Sequence, residues 1–310
     1  MSHLQKKASM HQEWLEIRRG GIGGSDAAAI VGLDRYRSPF AVYADKLGLS
    51  PEREDNEAMR QGRDLEDYVA QRFTEATGKK VRRCNDTLQH PEYPRLLANI
   101  DRLVVGEKAL LECKTTSVLN KAKFAQGEYP PNYYVQCMHY LAVTGLQRCY
   151  LAVLVLNQGF HVFTIDRDED EIAALIAAEM RFWDAHVAKQ VPPLPDGTES
   201  ASSVIKGLYP EAREKEATTL FGQEQKIKTY LELTAQIDAL EKERDATKQA
   251  LQLELGNAEV GHAHGYQVEW KNQSRRNLDM DKFKKEQAAL YEQYLKPPQV
   301  TRVFKIKEVG

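Results

Sequence analysis

The sequence ANIDRL at residues 98–103 is followed after a short turn-forming segment by LLECKT at residues 110–115. We predict that the two runs form a β-hairpin, because each has the composition of a half-buried strand. On the second strand Glu112 and Lys114 are two residues apart and project from the same face, where Asp101 of the first strand can meet them. Two carboxylates and a lysine at the edge of a sheet predict a divalent-metal site with a cation beside it.

The residue types at this hairpin suit a magnesium ion acting on a phosphate. Mg²⁺ prefers hard oxygen ligands, which Asp101, Glu112 and the backbone carbonyl of Cys113 can supply. Such an ion would polarise a scissile phosphate, while Lys114 would orient or help to deprotonate the attacking water, or balance charge in the transition state. The hairpin therefore predicts metal-dependent cleavage of a phosphodiester bond.

Two predicted helices bring further polar groups to the same region. The helix at residues 58–77 has a clear apolar stripe, and Glu66 lies at the border of that stripe. There it can complete a second metal site or hold a metal-bound water, although an arbitrary helix glutamate is more often simply solvated. In the helix at residues 133–143, Gln136 and Tyr140 are one turn apart and share a face.

A glycine-rich run at residues 19–26 precedes a small apolar helix. Ser25 or Asp26 can cap that helix, and the free backbone amides at its N-terminus attract an anion. Arg18 or Arg19 is close enough in sequence to add a cation. A loop followed by a helix cap is the ordinary interpretation of such a run, and an anion-binding loop is the functional one; its spacing fits neither a P-loop nor a dinucleotide fingerprint.

Composition restricts the class of protein. The chain has 310 residues, a formal net charge of −2 at pH 7 and 42% hydrophobic residues, without an apolar run long enough to span a membrane. The first ten residues lack the apolar stretch of a signal peptide. None of the cysteines forms a CxxC pair, which argues against a zinc knuckle or a disulfide framework: Cys84, Cys113, Cys137 and Cys149. We expect a reduced, cytoplasmic protein without a membrane anchor.

The composition changes near Val191, which predicts three regions: a catalytic domain at 1–190, a linker at 191–218 and an appendage at 219–310. The appendage begins with a long charged helix at residues 220–255, whose apolar residues are near heptad spacing. A coiled coil, a helical hairpin and packing against the first domain all remain open for this helix. The rest of the appendage is predicted to be a small α+β unit with three elements: a hairpin at 260–271, a helix at 281–295 and a basic strand at 301–307.

Several short motifs occur in a fixed order along the first half of the chain. They are Trp14 to Gly20 with Gly23 to Asp26, Gly62 to Glu66, Ile100-Asp101, Glu112 to Lys114, and Gln136 to Tyr140. On these motifs, from Trp14 to Trp183, the chain resembles the phage lambda exonuclease / YqaJ viral recombinase family of the PD-(D/E)xK nuclease superfamily. Ile100 replaces the proline of the superfamily name and leaves the acidic ligand in place.

The resemblance implies a fold and a set of site residues. The fold is α/β, a restriction-endonuclease-like core with a mixed central sheet flanked by helices, here followed by a helical, coiled-coil-like appendage. In the family an arginine and a serine of the first motif bind phosphate, and Arg18 and Ser25 match them. Glu66 matches the first acidic residue. Gln136 and Tyr140 match the QxxxY helix, whose glutamine lies beside the site, and we expect Tyr140 to contact the DNA.

The resemblance also implies an activity. It is the Mg²⁺-dependent digestion of double-stranded DNA ends from 5′ to 3′, leaving 5′-phosphates and a 3′ overhang, with Mn²⁺ expected to substitute. Family members often form ring-shaped trimers and act with a single-strand annealing protein in phage recombination, so a phage or prophage origin in a bacterial host is implied. The alternatives are an endonuclease of the same fold and a non-catalytic DNA-binding recombination scaffold.

Overall fold

The chain folds into two compact units, residues 1–209 and residues 210–310. The computed structural model describes residues 15–50, 56–213, 216–298 and 300–307, apart from the side chains of residues 125 and 126. Trp14, which the first motif includes, lies outside the described residues. The division follows Tyr209, inside the stretch predicted as a linker. A helix at Glu199–Leu208 occupies part of that stretch, and its Ala201 and Val204 are buried in the core of the first unit.

The first unit alternates strands and helices along the chain. Residues 15–19 are helical, and the helices that follow are α1 at Gly24–Ile30, α2 at Pro39–Lys46, α3 at Glu57–Thr77, α4 at Pro131–Thr144, α5 at Glu169–Phe182 and α6 at Glu199–Leu208. Its strands are β1 at Ile22–Gly23, β2 at Val81–Arg83, β3 at Leu88–Gln89, β4 at Leu96–Ala98, β5 at Arg102–Val104, β6 at Ala109–Thr116, β7 at Arg148–Val155 and β8 at Gly159–Asp166. A 3₁₀ helix at Val118–Gly127 joins β6 to α4, and α5 continues into a π-helical turn at Trp183–Val187.

Two mixed sheets form the framework of this unit. The larger sheet has the strand order β2-β5-β6-β7-β8, in which β6 and β7 are parallel and the other neighbours are antiparallel. The smaller sheet has the order β1-β4-β3, with β1 parallel to β4. Helices flank both, so the predicted fold class, a mixed sheet between helices, is confirmed.

The alternation of side chains along β6 determines what each face of the larger sheet contacts. Leu110 is fully buried in the main core, which the sheet shares with α1, α4 and α5. Leu111 points the other way, into a second cluster with Val69 and Phe73 of α3. Because the side-chain period of a strand is two, Glu112 and Lys114 share the face of Leu110 and point towards α4.

The predicted hairpin is present, but its first strand is shorter than expected. Residues 98–103 do not form one strand: β4 ends at Ala98 in the smaller sheet, and β5 begins at Arg102 in the larger one. Asp101 lies in the link between the two sheets, immediately before β5 pairs with β6. A residue at the end of a link rather than inside a ladder can turn its carboxylate towards the neighbouring strand, and Asp101 does so.

The second unit contains a long helix and little else that is regular. Its elements are α7 at Glu224–Leu255, β9 at Val260–Ala263, β10 at Tyr266–Glu269, α8 at Met280–Glu286 and α9 at Ala288–Gln293. None of the residues described for α7 is buried, so the coiled coil stays a prediction. The hairpin of β9 and β10 is confirmed. The helix predicted at 281–295 is interrupted at Gln287, whose φ of −131° is outside the helical range.

The prediction of a basic strand at residues 301–307 is wrong. The described residues there have no regular structure, since the only sheet described in this unit is the two-stranded one of β9 and β10. An alternating sequence becomes a strand only where a partner supplies the other half of the hydrogen-bond ladder. No helix in the described part of the chain is long and apolar enough to cross a membrane.

Candidate active site

A hydrogen-bonded network joins β6 to α4 at the centre of the first unit. The Glu112 Oε1 atom lies 2.7 Å from the Lys114 Nζ atom and accepts a hydrogen bond of 2.8 Å from the Gln136 amide. Lys114 also donates to the Gln136 Oε1 atom at 2.9 Å, and the Gln136 amide contacts the Tyr140 hydroxyl at 2.9 Å. The structure therefore brings together four of the predicted site residues: Glu112, Lys114, Gln136 and Tyr140.

Asp101 reaches the same region from the link before β5. Its Oδ2 atom accepts a hydrogen bond of 2.7 Å from the backbone N–H of Cys113, which lies between Glu112 and Lys114. Burial and the charge of Glu112 raise the pKa of Asp101 well above its usual range, although the Cys113 N–H opposes the shift. The two carboxylates thus repel one another in a site that is partly screened from water.

Lys114 supplies the cation nearest to these acids. Burial alone would lower the pKa of its ammonium group, but the charge and hydrogen bond of Glu112, together with the charge of Asp101, oppose burial and the pKa is raised. The Nζ atom also lies 5.3 Å from the centre of the Tyr133 ring. Lys114 is therefore held in place as a positive charge between an acid, an amide and an aromatic face.

One oxygen of Glu112 makes the site suitable for a cation. The Oε2 atom of Glu112 is buried and has no hydrogen-bond partner among the described residues. A buried carboxylate oxygen without a partner is costly, and a cation placed there would remove that cost. The Oε2 atom of Glu179 has the same property, but the other oxygen of Glu179 pairs with His139, whereas the charge of Glu112 acts on a second acid, Asp101.

The acids present fit a hard metal ion that keeps part of its water shell. No group of three or more His, Cys, Asp or Glu side chains in the described ranges could hold a metal without other ligands. Mg²⁺ does not require one, because one or two carboxylates with water and substrate phosphate are its usual protein environment. Asp101 and Glu112 supply two such carboxylates. The backbone carbonyl oxygen of Cys113, the residue after Glu112, can supply a third oxygen.

Glu66 lies at the rim of the site and is held by an arginine that we did not predict. Arg102, on β5, has a buried side chain that donates to the Glu66 Oε1 atom at 2.5 Å and to the Asp67 Oδ1 atom at 2.6 Å. Its guanidinium also donates to the backbone carbonyl of Asp101 at 2.6 Å. Arg102 therefore links the acid of α3 to the acid that precedes β5, and Glu66 as a metal ligand stays a prediction.

A buried ion pair fixes the helix that carries Gln136 and Tyr140. His139 and Glu179 are both fully buried, and the His139 Nδ1 atom lies 2.7 Å from the Glu179 Oε1 atom. The Nε2 atom of His139 lies 2.9 Å from the backbone carbonyl of Leu97. Burial would lower the pKa of His139, but the charge and hydrogen bond of Glu179, together with the hydrogen bond to Leu97, oppose burial and the pKa is raised. This pair joins α4 to α5 and to β4, and it limits the movement of the amide next to Glu112.

The glycine-rich loop packs directly against this helix. A Cβ atom on Gly24 would lie 2.5 Å from the Tyr140 ring and 3.0 Å from the Gln136 side chain, so only glycine permits this approach. Ser25 follows at the surface, and the Arg18 guanidinium donates to its hydroxyl at 3.3 Å. The structure thus places the two predicted phosphate-binding residues together, beside the helix that contacts Glu112.

The cap of α1 differs from the prediction. The helix begins at Gly24 with Gly23 as its N-cap, so neither Ser25 nor Asp26 occupies the capping position. Asp26 instead reaches back from the first turn, and its Oδ2 atom accepts a hydrogen bond of 2.9 Å from the Gly23 N–H. The same carboxylate binds the buried Lys46 Nζ atom at 2.6 Å and the Arg37 guanidinium. Asp26 therefore stabilises the loop from inside, and Ser25 remains at its surface.

Comparison with known proteins shows which family this chain resembles. Residues 13–147 match the model of the YqaJ-like viral recombinase domain, a range that includes all the site residues named above up to Tyr140. The chain is 39% identical to the uncharacterized protein YqaJ of Bacillus subtilis (strain 168) over 312 residues, covering 99% of this chain and 98% of that protein.

A solved structure is similar in fold to part of this chain. The alkaline exonuclease LHK-Exo from Laribacter hongkongensis, in complex with dAMP, is similar with a TM-score of 0.50 and 23% identity, over 58% of this chain and 94% of that one. A second crystal structure of the same enzyme gives a TM-score of 0.48 at 22% identity, with the same coverage. At this identity the likeness shows the fold, and function has to be argued from the site.

Proposed function

This chain belongs to the YqaJ-like viral recombinase family, and from that premise we propose that it is a divalent-metal-dependent deoxyribonuclease. We propose further that it degrades linear double-stranded DNA from its ends during phage-type homologous recombination. The observation that supports this most strongly is the buried Glu112 carboxylate. One of its oxygens is held by Lys114 and Gln136, and the other has no hydrogen-bond partner among the described residues. The charge of Glu112 also acts on the Asp101 carboxylate, whose pKa it raises.

In this proposal the metal-binding residues are Asp101, Glu112 and the carbonyl of Cys113, with Glu66 as a further acid. The ion we propose is Mg²⁺, with Mn²⁺ as a substitute, because all of these donors are hard oxygens. When bound, such an ion supplies Lewis-acid chemistry to a phosphate oxygen. The orphaned Oε2 atom of Glu112 and the mutual repulsion of the two carboxylates both favour a cation at this position.

The remaining residues of the network orient the reactants. Lys114 holds a positive charge within 2.7 Å of the Glu112 Oε1 atom, where it can stabilise the negative charge that develops on a phosphate under attack. The Gln136 amide uses its N–H to hold Glu112 and its oxygen to hold Lys114. Gln136 therefore fixes the distance between acid and cation, and we assign to it a positioning role.

The loop beside α4 is the proposed phosphate anchor. Arg18 and Ser25 lie together at the surface next to Gly24, which packs against Gln136 and Tyr140. A terminal phosphate bound by the guanidinium and the hydroxyl would place the adjoining phosphodiester near Glu112. Anchoring an end in this way favours an exonuclease over an endonuclease.

The finer attributes of the family form part of the same proposal. We propose digestion from 5′ to 3′ that leaves 5′-phosphates and a 3′ overhang, cooperation with a single-strand annealing protein, and a homo-oligomeric state such as a trimer. Because the proposed substrate is DNA in a bacterial host, we place the reaction in the cytoplasm. The appendage at 219–310 is proposed to influence the oligomer.

Activity on linear and closed DNA separates the candidate functions. With Mg²⁺ present we expect the protein to degrade linear duplex DNA and to leave covalently closed circular duplex intact, since a circle offers no end to anchor. With EDTA both substrates should survive. Gel electrophoresis of the four reactions measures the loss of each substrate. Cutting of circles would identify an endonuclease. If both substrates survive with Mg²⁺, the DNA-binding scaffold is the one candidate function that remains.

Replacement of Arg18 tests the phosphate anchor. Arg18→Ala should slow the digestion of 5′-phosphorylated duplex by roughly tenfold or more, the value of a lost charge-assisted contact, and should slow 5′-hydroxyl duplex much less. Initial rates on the two substrates give the ratio. Arg19→Ala is the matched control, because Arg19 is an exposed arginine immediately after Arg18 in the same helical segment, residues 15–19. An equal loss on both substrates would assign Arg18 to general contact with the DNA backbone.

A further inference from the structure

The last part of the appendage carries an excess of positive charge, although the net charge of the whole chain is −2. Residues 270–307, which we call the basic segment, contain ten lysines and arginines and only four aspartates and glutamates. The match to the family model ends at residue 147, well before this segment. None of the roles assigned so far uses it.

The cations of the basic segment are all exposed, and several of them form no ion pair within the described part of the chain. Lys271 pairs with Glu269 at 3.0 Å. Arg275, Arg276 and Lys285 have no such partner among the described residues, and the first two lie in a stretch without regular structure. An excess of exposed charge of one sign attracts a partner of the opposite sign, so the segment suits a polyanion.

Exposed aromatic rings are interleaved with these cations. Trp270, Tyr294 and Phe304 are 49%, 76% and 74% exposed, and each has a lysine one or two residues after it in the sequence. Phe304 keeps most of its surface in solvent even though its ring contacts that of Tyr230 on α7, with 5.6 Å between centroids. A ring next to a cation can stack on a nucleobase while the cation binds the adjoining phosphate.

This combination of rings and cations favours a single strand of DNA over a duplex. In a duplex the bases stack on one another, so a surface that follows the backbone needs cations for the phosphates and gains little from aromatic rings. In a single strand the faces of the bases are accessible, and proteins that bind such strands combine cations with aromatic side chains. The digestion of one strand that we propose leaves a strand of this kind.

The charge also argues against a second copy of this chain as the partner of the basic segment. In a two-fold interface the same surface patch of each copy meets itself. Two facing copies of the segment would bring like charges together, which costs free energy at an interface. A strand of DNA instead supplies one negative charge for each nucleotide.

We propose that the basic segment binds the single-stranded DNA that the digestion of linear duplex leaves. The choice of a single strand rests on the proposed function, which supplies the 3′ overhang, whereas the charge and the exposed rings are properties of the segment itself. Contacts with phosphates and with base faces are tolerant of sequence, so the segment accepts any overhang. Such a surface keeps the product strand on the protein after each cleavage.

Binding to a closed circle of single-stranded DNA tests the proposal separately from the active site. The probe is a fluorescently labelled circular oligothymidylate, titrated with the full-length protein in EDTA. A circle has no end for the proposed phosphate anchor, and EDTA prevents metal-dependent cleavage. We expect saturable binding that weakens as the salt concentration rises. Covalently closed circular duplex, compared at equal nucleotide concentration, should compete at least about tenfold less well than unlabelled single-stranded circles.

Charge reversal locates the binding. The double variant Arg275→Glu with Arg276→Glu should weaken probe binding by about tenfold or more, because two phosphate contacts become repulsive. Lys242→Glu with Lys248→Glu is the matched control, since it changes the net charge equally at two exposed lysines of α7 that lie outside the basic segment. Screening by salt limits the effect of those distant charges, so the control should lose less than about threefold.

A ring variant separates stacking from charge. Trp270→Ala should weaken probe binding by about fivefold or more, whereas Trp270→Phe, which keeps a ring, should recover most of the affinity. Phe221→Ala is the matched control, because Phe221 is an exposed ring of the same unit outside the basic segment. Circular dichroism checks that each variant keeps its helical content.

The possible failures are distinct. The single-strand surface would be overturned by a lack of saturable binding, by equal competition from duplex circles, by equal losses in the two double variants, or by unchanged binding of Trp270→Ala. If the protein binds the circle as expected but does not digest linear duplex with Mg²⁺, the proposed function is overturned and the surface stays assigned. Digestion of linear duplex without binding of the circle would retain the function and remove the surface.

Discussion

Lys114→Ala is expected to reduce the digestion of linear duplex DNA by at least about 10²- to 10³-fold, the cost of removing one preorganised donor from a site that stabilises developing charge. Lys114 is held by the Glu112 Oε1 atom at 2.7 Å and by the Gln136 Oε1 atom at 2.9 Å. Alanine leaves the metal-binding oxygens in place but removes the cation. DNA binding, measured by mobility shift in EDTA, should therefore change little while the rate with Mg²⁺ falls.

A second lysine provides the control for this variant. Lys79, just before β2, also pairs with a carboxylate, that of Glu107, and the partners of its side chain among the described residues, Glu107 and Tyr150, are not site residues. Lys79→Ala should digest DNA at close to the wild-type rate. Because the loss of Lys114 leaves Glu112 with one fewer partner, thermal unfolding of both variants checks that the protein remains folded. Near wild-type activity in a folded Lys114→Ala protein would remove Lys114 from the mechanism.

The pairing of Glu112 with Lys114 was predictable because strand geometry determines it. A period of two puts both residues on one face whatever the rest of the chain does, and the short turn brings Asp101 back to them. The contact between Gln136 and Tyr140 follows in the same way from the helical period. What periodicity does not provide is the packing partner of each face. The contact between the polar face of β6 and α4 depends on tertiary packing. The family motifs indicated this contact, and the structure contains it.

Arg102 and His139 were missed for a related reason. Each makes its decisive contact with a residue far away in sequence, Glu66 for Arg102 and Glu179 for His139, and neither local pattern is unusual. One signal for Arg102 was present: it alternates with Val104, so it belongs to the buried face of β5. A buried arginine needs a carboxylate partner, and that requirement points to the acids on α3.

The appendage was harder to predict than the first unit because its sequence patterns lack buried partners. The helix predicted at 220–255 is present as α7, since helical propensity and length are local properties. The strand predicted at 301–307 is absent from the described residues, since a strand depends on a neighbour that sequence alone does not supply. The heptad spacing of α7 stays a prediction because its apolar residues, including Ile237 and Leu240, are exposed within this chain.

Asp26→Asn is expected to destabilise the first unit by about 3–5 kcal/mol, the cost of leaving a buried charge without its partner. The Asp26 side chain is fully buried, and it binds the Lys46 ammonium, which is equally buried, at 2.6 Å. It also binds the Arg37 guanidinium and the N–H of Gly23. Asparagine keeps the size of the side chain but removes the charge, so two cations lose the acid that holds them.

Chemical denaturation measures this effect, and Asp45→Asn is the matched control. Asp45 also binds Arg37, at 2.8 Å, but its side chain is 38% exposed, so its loss should cost less than about 1 kcal/mol. The emission of Trp183, buried in the first unit, reports unfolding there. Equal free energies of unfolding for the two variants would show that Asp26 contributes no more than a surface pair.

The same carboxylate should give the stability a particular pH dependence. Burial would raise the pKa of Asp26, but the charges of Arg37 and Lys46 outweigh it and hold the pKa well below its usual range. A lowered pKa in the folded state means that the contribution of Asp26 is complete above the unfolded value of about 3.9 and is lost as the pH falls below it. Between about pH 5 and pH 2 the wild type should therefore lose stability more steeply than Asp26→Asn. Parallel curves would mean that Asp26 keeps an ordinary pKa. The contacts of Asp26 with Lys46 and Arg37 would then not be what holds Gly24 and Ser25 against α4.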